Sequence, residues 1–137
     1  CHAMAEWLAQ PEQLIARLEA MLAEKGTISL TFYNQHSLVY RNLIRGNFKV
    51  LETPFEAHGG SLTPGTSLDP SLMEEWIADA GLHITSNTGI RVFHDYVTTE
   101  RGGHRNAASV IEMELRYSLL EPYKAMGRYI HLLINRG

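Results

Sequence analysis

Hydrophobic and polar positions along the chain alternate between two periods, one helical and one extended. From Pro11 to Gly26, Leu14, Leu18, Met21 and Leu22 form a stripe at helical spacing, with proline at the start and glycine at the stop. Thr27 to Asn34, TISLTFYN, is β-branched, aromatic and nearly continuous in apolar content. It reads as a strand buried on both faces. Gln35 to Gly46 predicts a short helix, and Glu52 to Thr66, with two prolines and three glycines, a long mobile loop. Asp69 and Pro70 mark the start of a helix whose buried side is Leu72, Trp76 and Ile77 and whose stop is Gly81. Leu82 to Phe93 predicts a second strand with Gly89 at a bulge. A helix over 106–120, a turn or short helix at EPYKAMG and a last strand over 128–136 complete the pattern. The order α, β, α, loop, α, β, α, β favours an α/β fold in three layers with parallel strands. Three strands leave an apolar edge open, which makes pairing with a further strand or a second copy expected.

Composition narrows this picture only a little. The chain has 137 residues, 45% of them hydrophobic and 20% charged, enough for one modest core. A net charge of −3 argues against a generic electrostatic binder of nucleic acid. The single cysteine, Cys1, cannot form an internal disulfide, which fits a reducing, cytoplasmic setting. No apolar run reaches the about 20 residues of a membrane-spanning helix. No metal ligand set is assigned.

Several stretches taken together carry a family resemblance. These are CHAMAEWLAQPEQLIARLEAMLAEKGTISLTFYN, GNF, GIRVFHDY and EPYKAMGRYIHLL, with HAMAEW, FYNQH, RVFHDY and GRYIH the most specific. The chain resembles, nearly from end to end, the second half of the tRNA carboxymethoxyuridine methyltransferases, class I enzymes that use S-adenosylmethionine. The resemblance implies a Rossmann-like, doubly wound sheet of which residues 1–137 supply strands five, six and seven, the last antiparallel and inserted beside the fifth. It implies methylation of the carboxylate of carboxymethoxyuridine at the wobble position, with the tRNA anticodon loop as partner. It places the donor's main anchors, a glycine-rich turn and an acidic strand end, in an N-terminal half that this sequence does not contain. Cys1 and His2 then follow the fourth strand, and the resemblance gives His2 a contact with the methyl donor. One departure is the loop FEAHGGSLTPGTS, which has no Lys or Arg where relatives are lysine-rich.

Ligands of doubly wound sheets bind outside the carboxyl ends of the parallel strands. That rule sends His2 and Glu6, Tyr33 and Asn34, and His94, Asp95 and Tyr96 to one rim, together with Arg128 and Tyr129 if the last strand runs antiparallel. A carboxylate is ionised at neutral pH and attacks a methyl sulfonium unaided, so the protein must mainly position an anion. Arg91 and Arg128 suit that task. Tyr33 and Tyr129 suit stacking on a base, His94 and Tyr96 hydrogen bonding, and Arg41 and Arg45 phosphates. Each has a plainer reading: Tyr33 and Tyr129 as sheet packing, Glu6 as a helix-start carboxylate, Trp7 and Trp76 as core, and Glu112 with Arg116 as a surface ion pair. His94 and Asp95, as adjacent strand residues, would face opposite ways and form no dyad. The alternatives to the tRNA reading are methylation of another small carboxylate and a non-catalytic α/β module that binds through its sheet edge.

Overall fold

A computed structural model describes residues 1–52 and 67–137. The long loop, and with it the stretch without lysines, lies outside the described residues. The three strands are β1 (Ile28–Tyr33), β2 (His83–Ile90) and β3 (Tyr129–Asn135). The helices are α1 (Glu12–Met21), α2 (Gln35–Arg45), α3 (Phe48–Glu52), α4 (Pro70–Asp79) and α5 (Ala107–Tyr117). The sheet order is β1-β3-β2, with β3 antiparallel to both neighbours. β1 and β2 therefore run the same way without touching. The last strand fills the space between them, as the resemblance implied, so the ladder itself is wholly antiparallel.

One face of the sheet makes the core. Ile28, Leu30 and Phe32 of β1 and Ile130, Leu132 and Ile134 of β3 alternate onto this face, and all are buried. Leu14 and Ile15 of α1, Met73 and Ile77 of α4, and Ala5, Leu68 and Leu82 join them in one cluster. The buried side of α4 is thus Met73 and Ile77, with Trp76 partly buried and Leu72 exposed. Trp7 is exposed as well, so the expectation that it belongs to the core does not hold. It sits on a single-turn helix, Ala5–Trp7, too short to bury more than Ala5 and Glu6. The helix starts are as the sequence suggests. Asp69 accepts the Ser71 N–H at the start of α4, Asn34 accepts the His36 N–H at the start of α2, and Gly46 closes α2 in the left-handed conformation.

The other face is polar. Ser29, Thr31 and Tyr33 stand opposite Leu133, His131 and Tyr129. Thr31 and Tyr33 are nonetheless buried, which bears out the expectation of a two-face buried strand over the second half of β1. The outer edge of β1 is occupied by the first three residues. His2 bridges Thr31 in parallel sense, Thr31 N–H donates to the Cys1 carbonyl at 2.9 Å, and Ala3 N–H donates to the Thr31 carbonyl at 2.8 Å.

Two strand expectations need correction. β2 ends at Ile90 rather than Phe93, because Arg91 adopts φ 59 and turns the chain into a single-turn helix, His94–Tyr96. The bulge falls between Ile84 and Ser86, not at Gly89. Gly89 is paired with Ile130 and is needed for another reason: a Cβ there would lie 2.3 Å from the Lys124 carbonyl oxygen. The backbone before β3 therefore crosses directly over the end of β2.

Candidate substrate-binding rim

The end of β1, the start of β3 and the turn after β2 meet at one end of the sheet. Tyr33 and Ile90 are both register partners of Tyr129, which makes this convergence a consequence of strand order alone. At its centre is Asp95. Its carboxylate forms ion pairs with both Arg91 and Arg128, the latter at 3.3 Å. The Asp95 side chain is 6% exposed, against 48% for Arg91 and 31% for Arg128. One buried anion therefore orients two guanidinium groups that reach towards solvent. By the sequence pattern Asp95 is a rim residue that faces away from His94 along a strand. Because residues 94–96 form a helical turn rather than a strand, Asp95 points instead between the arginines.

Arg128 also lies 5.7 Å from the ring centroids of both Tyr33 and Tyr129, and the two rings meet edge to face at 5.5 Å. Burial works against the charge of Arg128, but Tyr33, Asp95 and Tyr129 outweigh it and raise its pKa. Its Nε atom is buried without a hydrogen-bond partner. Tyr33 is buried, and its hydroxyl accepts from Arg41 at 2.8 Å. That is a packed place, with no open ring face for a base. Tyr129 is half-buried and keeps more of its ring available.

Other expected contacts turn out to brace the rim. Asn34 is fully buried, and its amide donates to the Ala125 and Gly127 carbonyls, both at 2.8 Å. It ties β1 to the segment before β3 and has no donor left for a substrate. Tyr96 donates to the Met126 carbonyl at 2.6 Å and meets the Ser37 hydroxyl at 2.9 Å, while burial pushes its pKa up. Arg45 donates to the Asp95 backbone carbonyl at 3.1 Å, so both α2 arginines are anchored to the rim. His94 is partly buried with its Nδ1 unpartnered. These braces have no signature in the sequence, since each joins residues far apart in the chain, most of them through a backbone carbonyl.

His2 lies apart from the arginines, on the polar face two residues back along β1. Its Nδ1 is 2.9 Å from the Thr31 hydroxyl, and its ring stacks on His131 at 5.9 Å. The Ser29 hydroxyl bridges the two rings, 2.8 Å from His131 Nε2 and 3.3 Å from His2 Nε2. Burial, then His2, lowers the pKa of His131. Glu6 is not a helix-start surface carboxylate. It is buried beneath the end of β1 near the Tyr33 backbone, with Oε2 unpartnered, and burial raises its pKa. Of the four stretches expected at the rim, the three around Tyr33, Asp95 and Arg128 form one cluster. The first contributes Glu6 below that cluster and His2 beside it.

No protein-family model matches the chain. It is 36% identical over 132 residues to the tRNA 5-carboxymethoxyuridine methyltransferase of Escherichia coli strain K12, and equally to that of strain O157:H7. Each match covers 96% of this chain and 51% of the relative, so the chain spans about half the length of the curated relatives it matches. The likeness first read from the residues around RVFHDY and GRYIH is thus borne out, and the chain is related over nearly its whole length to the tRNA 5-carboxymethoxyuridine methyltransferases.

Proposed function

We propose that this chain is the C-terminal, substrate-facing part of an S-adenosylmethionine-dependent methyltransferase that acts on the carboxylate of carboxymethoxyuridine at the tRNA wobble position, in the cytoplasm. In this reading β1, β2 and β3 are strands five, six and seven of a class I sheet. The parallel bridge between His2 and Thr31 supports this numbering, in which strand four would lie beside β1. The observation that carries the reading is the paired guanidinium groups of Arg91 and Arg128 around Asp95, at the sheet end where such folds bind ligands, in a chain similar to carboxymethoxyuridine methyltransferases.

S-adenosylmethionine supplies an electrophilic methyl group on a sulfonium. This chain offers it one expected contact, His2, whose ring is held by Thr31 and stacked on His131. The remaining work belongs to the anion. The substrate carboxylate needs no general base, so the chain's residues bind and orient it. Arg91, half-exposed, makes the first contact, and Arg128 makes the deeper one through the exposed part of its guanidinium group. Asp95, paired with both, offsets the repulsion between the two guanidinium groups and holds them side by side. Tyr129 offers a ring face to the uracil, and His94 a ring nitrogen to the substrate. Arg41 and Arg45 keep spare donors for phosphates of the anticodon loop.

The test is methyl transfer from labelled S-adenosylmethionine by the complete protein to tRNA bearing carboxymethoxyuridine. Formation of the methyl ester on that nucleoside is expected. No product, with an intact and folded enzyme, removes the substrate assignment.

A further inference from the structure

Glu114, on α5, is outside the rim, yet its carboxylate reaches the turn that carries the rim's arginine. It accepts three consecutive backbone N–H groups: Val92 at 2.6 Å, Phe93 at 3.2 Å and His94 at 2.8 Å. These three residues lie between Arg91, in its left-handed conformation, and Asp95. Converging backbone amides of this kind form an anion-binding concavity. Here the anion is supplied by the chain itself.

What surrounds this contact shows how the turn is held. α5 has no buried residue, and its Ile111 and Leu115 face outward. Between α5 and the turn lies a cavity of about 320 Å³ lined by Val92, Phe93, Met113, Tyr117 and Tyr123. Packing between α5 and the turn is therefore incomplete beside the carboxylate. Val92 is buried and Arg45 donates to the Asp95 carbonyl, so the turn has other anchors, but if the carboxylate is withdrawn the three amides between them lose their acceptor. The turn's conformation sets the separation of Arg91 from Arg128.

We propose that Glu114 is a positioning residue for the substrate anion: by clamping the amides of Val92, Phe93 and His94 it fixes Arg91 and Asp95 in register with Arg128. This deepens the reading that Arg91 and Arg128 bind the substrate carboxylate, and it rests on that reading.

The test is Glu114→Gln in the complete enzyme, which keeps the size of the side chain but turns an amide NH2 towards the three donors. KM for the modified tRNA should rise on the order of tenfold, with donor affinity unchanged and thermal stability within a few degrees, because misplacing one binding group by about an ångström is enough for such a loss. In an Arg91→Asn background, where the left-handed conformation is tolerated but the guanidinium is gone, the same substitution should change KM by less than twofold. Equal losses in both backgrounds would overturn the proposal. A second readout needs no activity: the Val92, Phe93 and His94 amides should lose hydrogen-exchange protection while those of β1 keep theirs. Unchanged protection would also overturn it. If Glu114→Gln does not fold, Glu114→Asp, shorter by one methylene, is measured in the same two ways. An enzyme that leaves the tRNA unmethylated refutes the substrate assignment, while the amide readout still decides whether Glu114 holds the turn.

Discussion

Replacing Asp95 by Asn tests whether one buried carboxylate organises the rim. The substitution keeps shape and removes charge. The backbone bond from Arg45 to the Asp95 carbonyl survives it, so the turn has no other cause to move. Two ion pairs are lost together, to Arg91 and to Arg128. Breaking a fully buried pair costs about 3–5 kcal/mol and an exposed one about 0–1 kcal/mol. Here the anion is 6% exposed while its partners are 48% and 31% exposed, so the freed guanidinium groups recover much of their hydration. The loss should fall between those limits, at about 1–2 kcal/mol. Urea denaturation at neutral pH, in low and high salt, measures it. Salt should shrink the difference only modestly, because the acidic partner is shielded from solvent. A double-mutant cycle with Arg128→Met should show coupling of about 0.5–1 kcal/mol or more. A loss under about 0.5 kcal/mol at low salt, or strict additivity with Arg128→Met, would refute the argument that Asp95 holds the arginines.

Three further outcomes are expected. Because His131 has its pKa lowered by burial and by His2, the folded state binds fewer protons than the unfolded one. Stability should therefore fall as pH drops below about 6.5 towards the folded value, and His131→Asn should flatten that slope in pH-dependent thermal melts. Glu6 has the opposite sense for an acid: its pKa is raised, so its contribution to stability declines as pH rises above about 4.5. Glu6→Gln should match or exceed the native stability at pH 7 and lose that advantage in acid. Gly127→Ala puts a Cβ 2.7 Å from the Ile90 nitrogen and 2.8 Å from the Gly89 Cα, all backbone. It should cost about 2 kcal/mol or more in denaturant melts, whereas Gly103→Ala, with open space around its Cβ, should cost little.

The elements were readable because their signals are local. Asp69, Pro70 and Gly46 sit where the chain's own pattern puts a helix start or stop, and Leu30, Phe32, Ile130 and Ile134 announce buried strands by their chemistry. What local pattern misses is any position decided by a distant partner. Trp7 looks like core by size, but its single-turn helix points it outward. Arg91 looks like a mid-strand residue until the left-handed turn at its own φ ends the strand. Tyr33 reads equally as a base platform or as sheet packing, and Asn34 as a substrate ligand, yet Tyr33 is buried among Arg41, Arg128 and Tyr129, and Asn34 beneath the crossing of residues 125–127. That β3 lies between β1 and β2 came from the family resemblance, since alternation of elements favours parallel neighbours.

The rim's design follows from a conflict that two adjacent cations create. Arg91 and Arg128 lie close enough to share the Asp95 carboxylate, and without it they would repel each other. Asp95 removes that repulsion, but it occupies only one side of each guanidinium, and the Nε of Arg128 remains unpartnered. The turn that carries this carboxylate is itself held from behind. Glu114 holds it there through three amides. The rim is thus an alternation of charge, Glu114, turn amides, Asp95, paired arginines, and in the proposed function the substrate carboxylate is its next member. An arrangement of that kind discriminates by charge: neutralising the substrate, as methyl-ester formation does, removes the member that the arginines bind, so the product should leave more readily than the substrate enters.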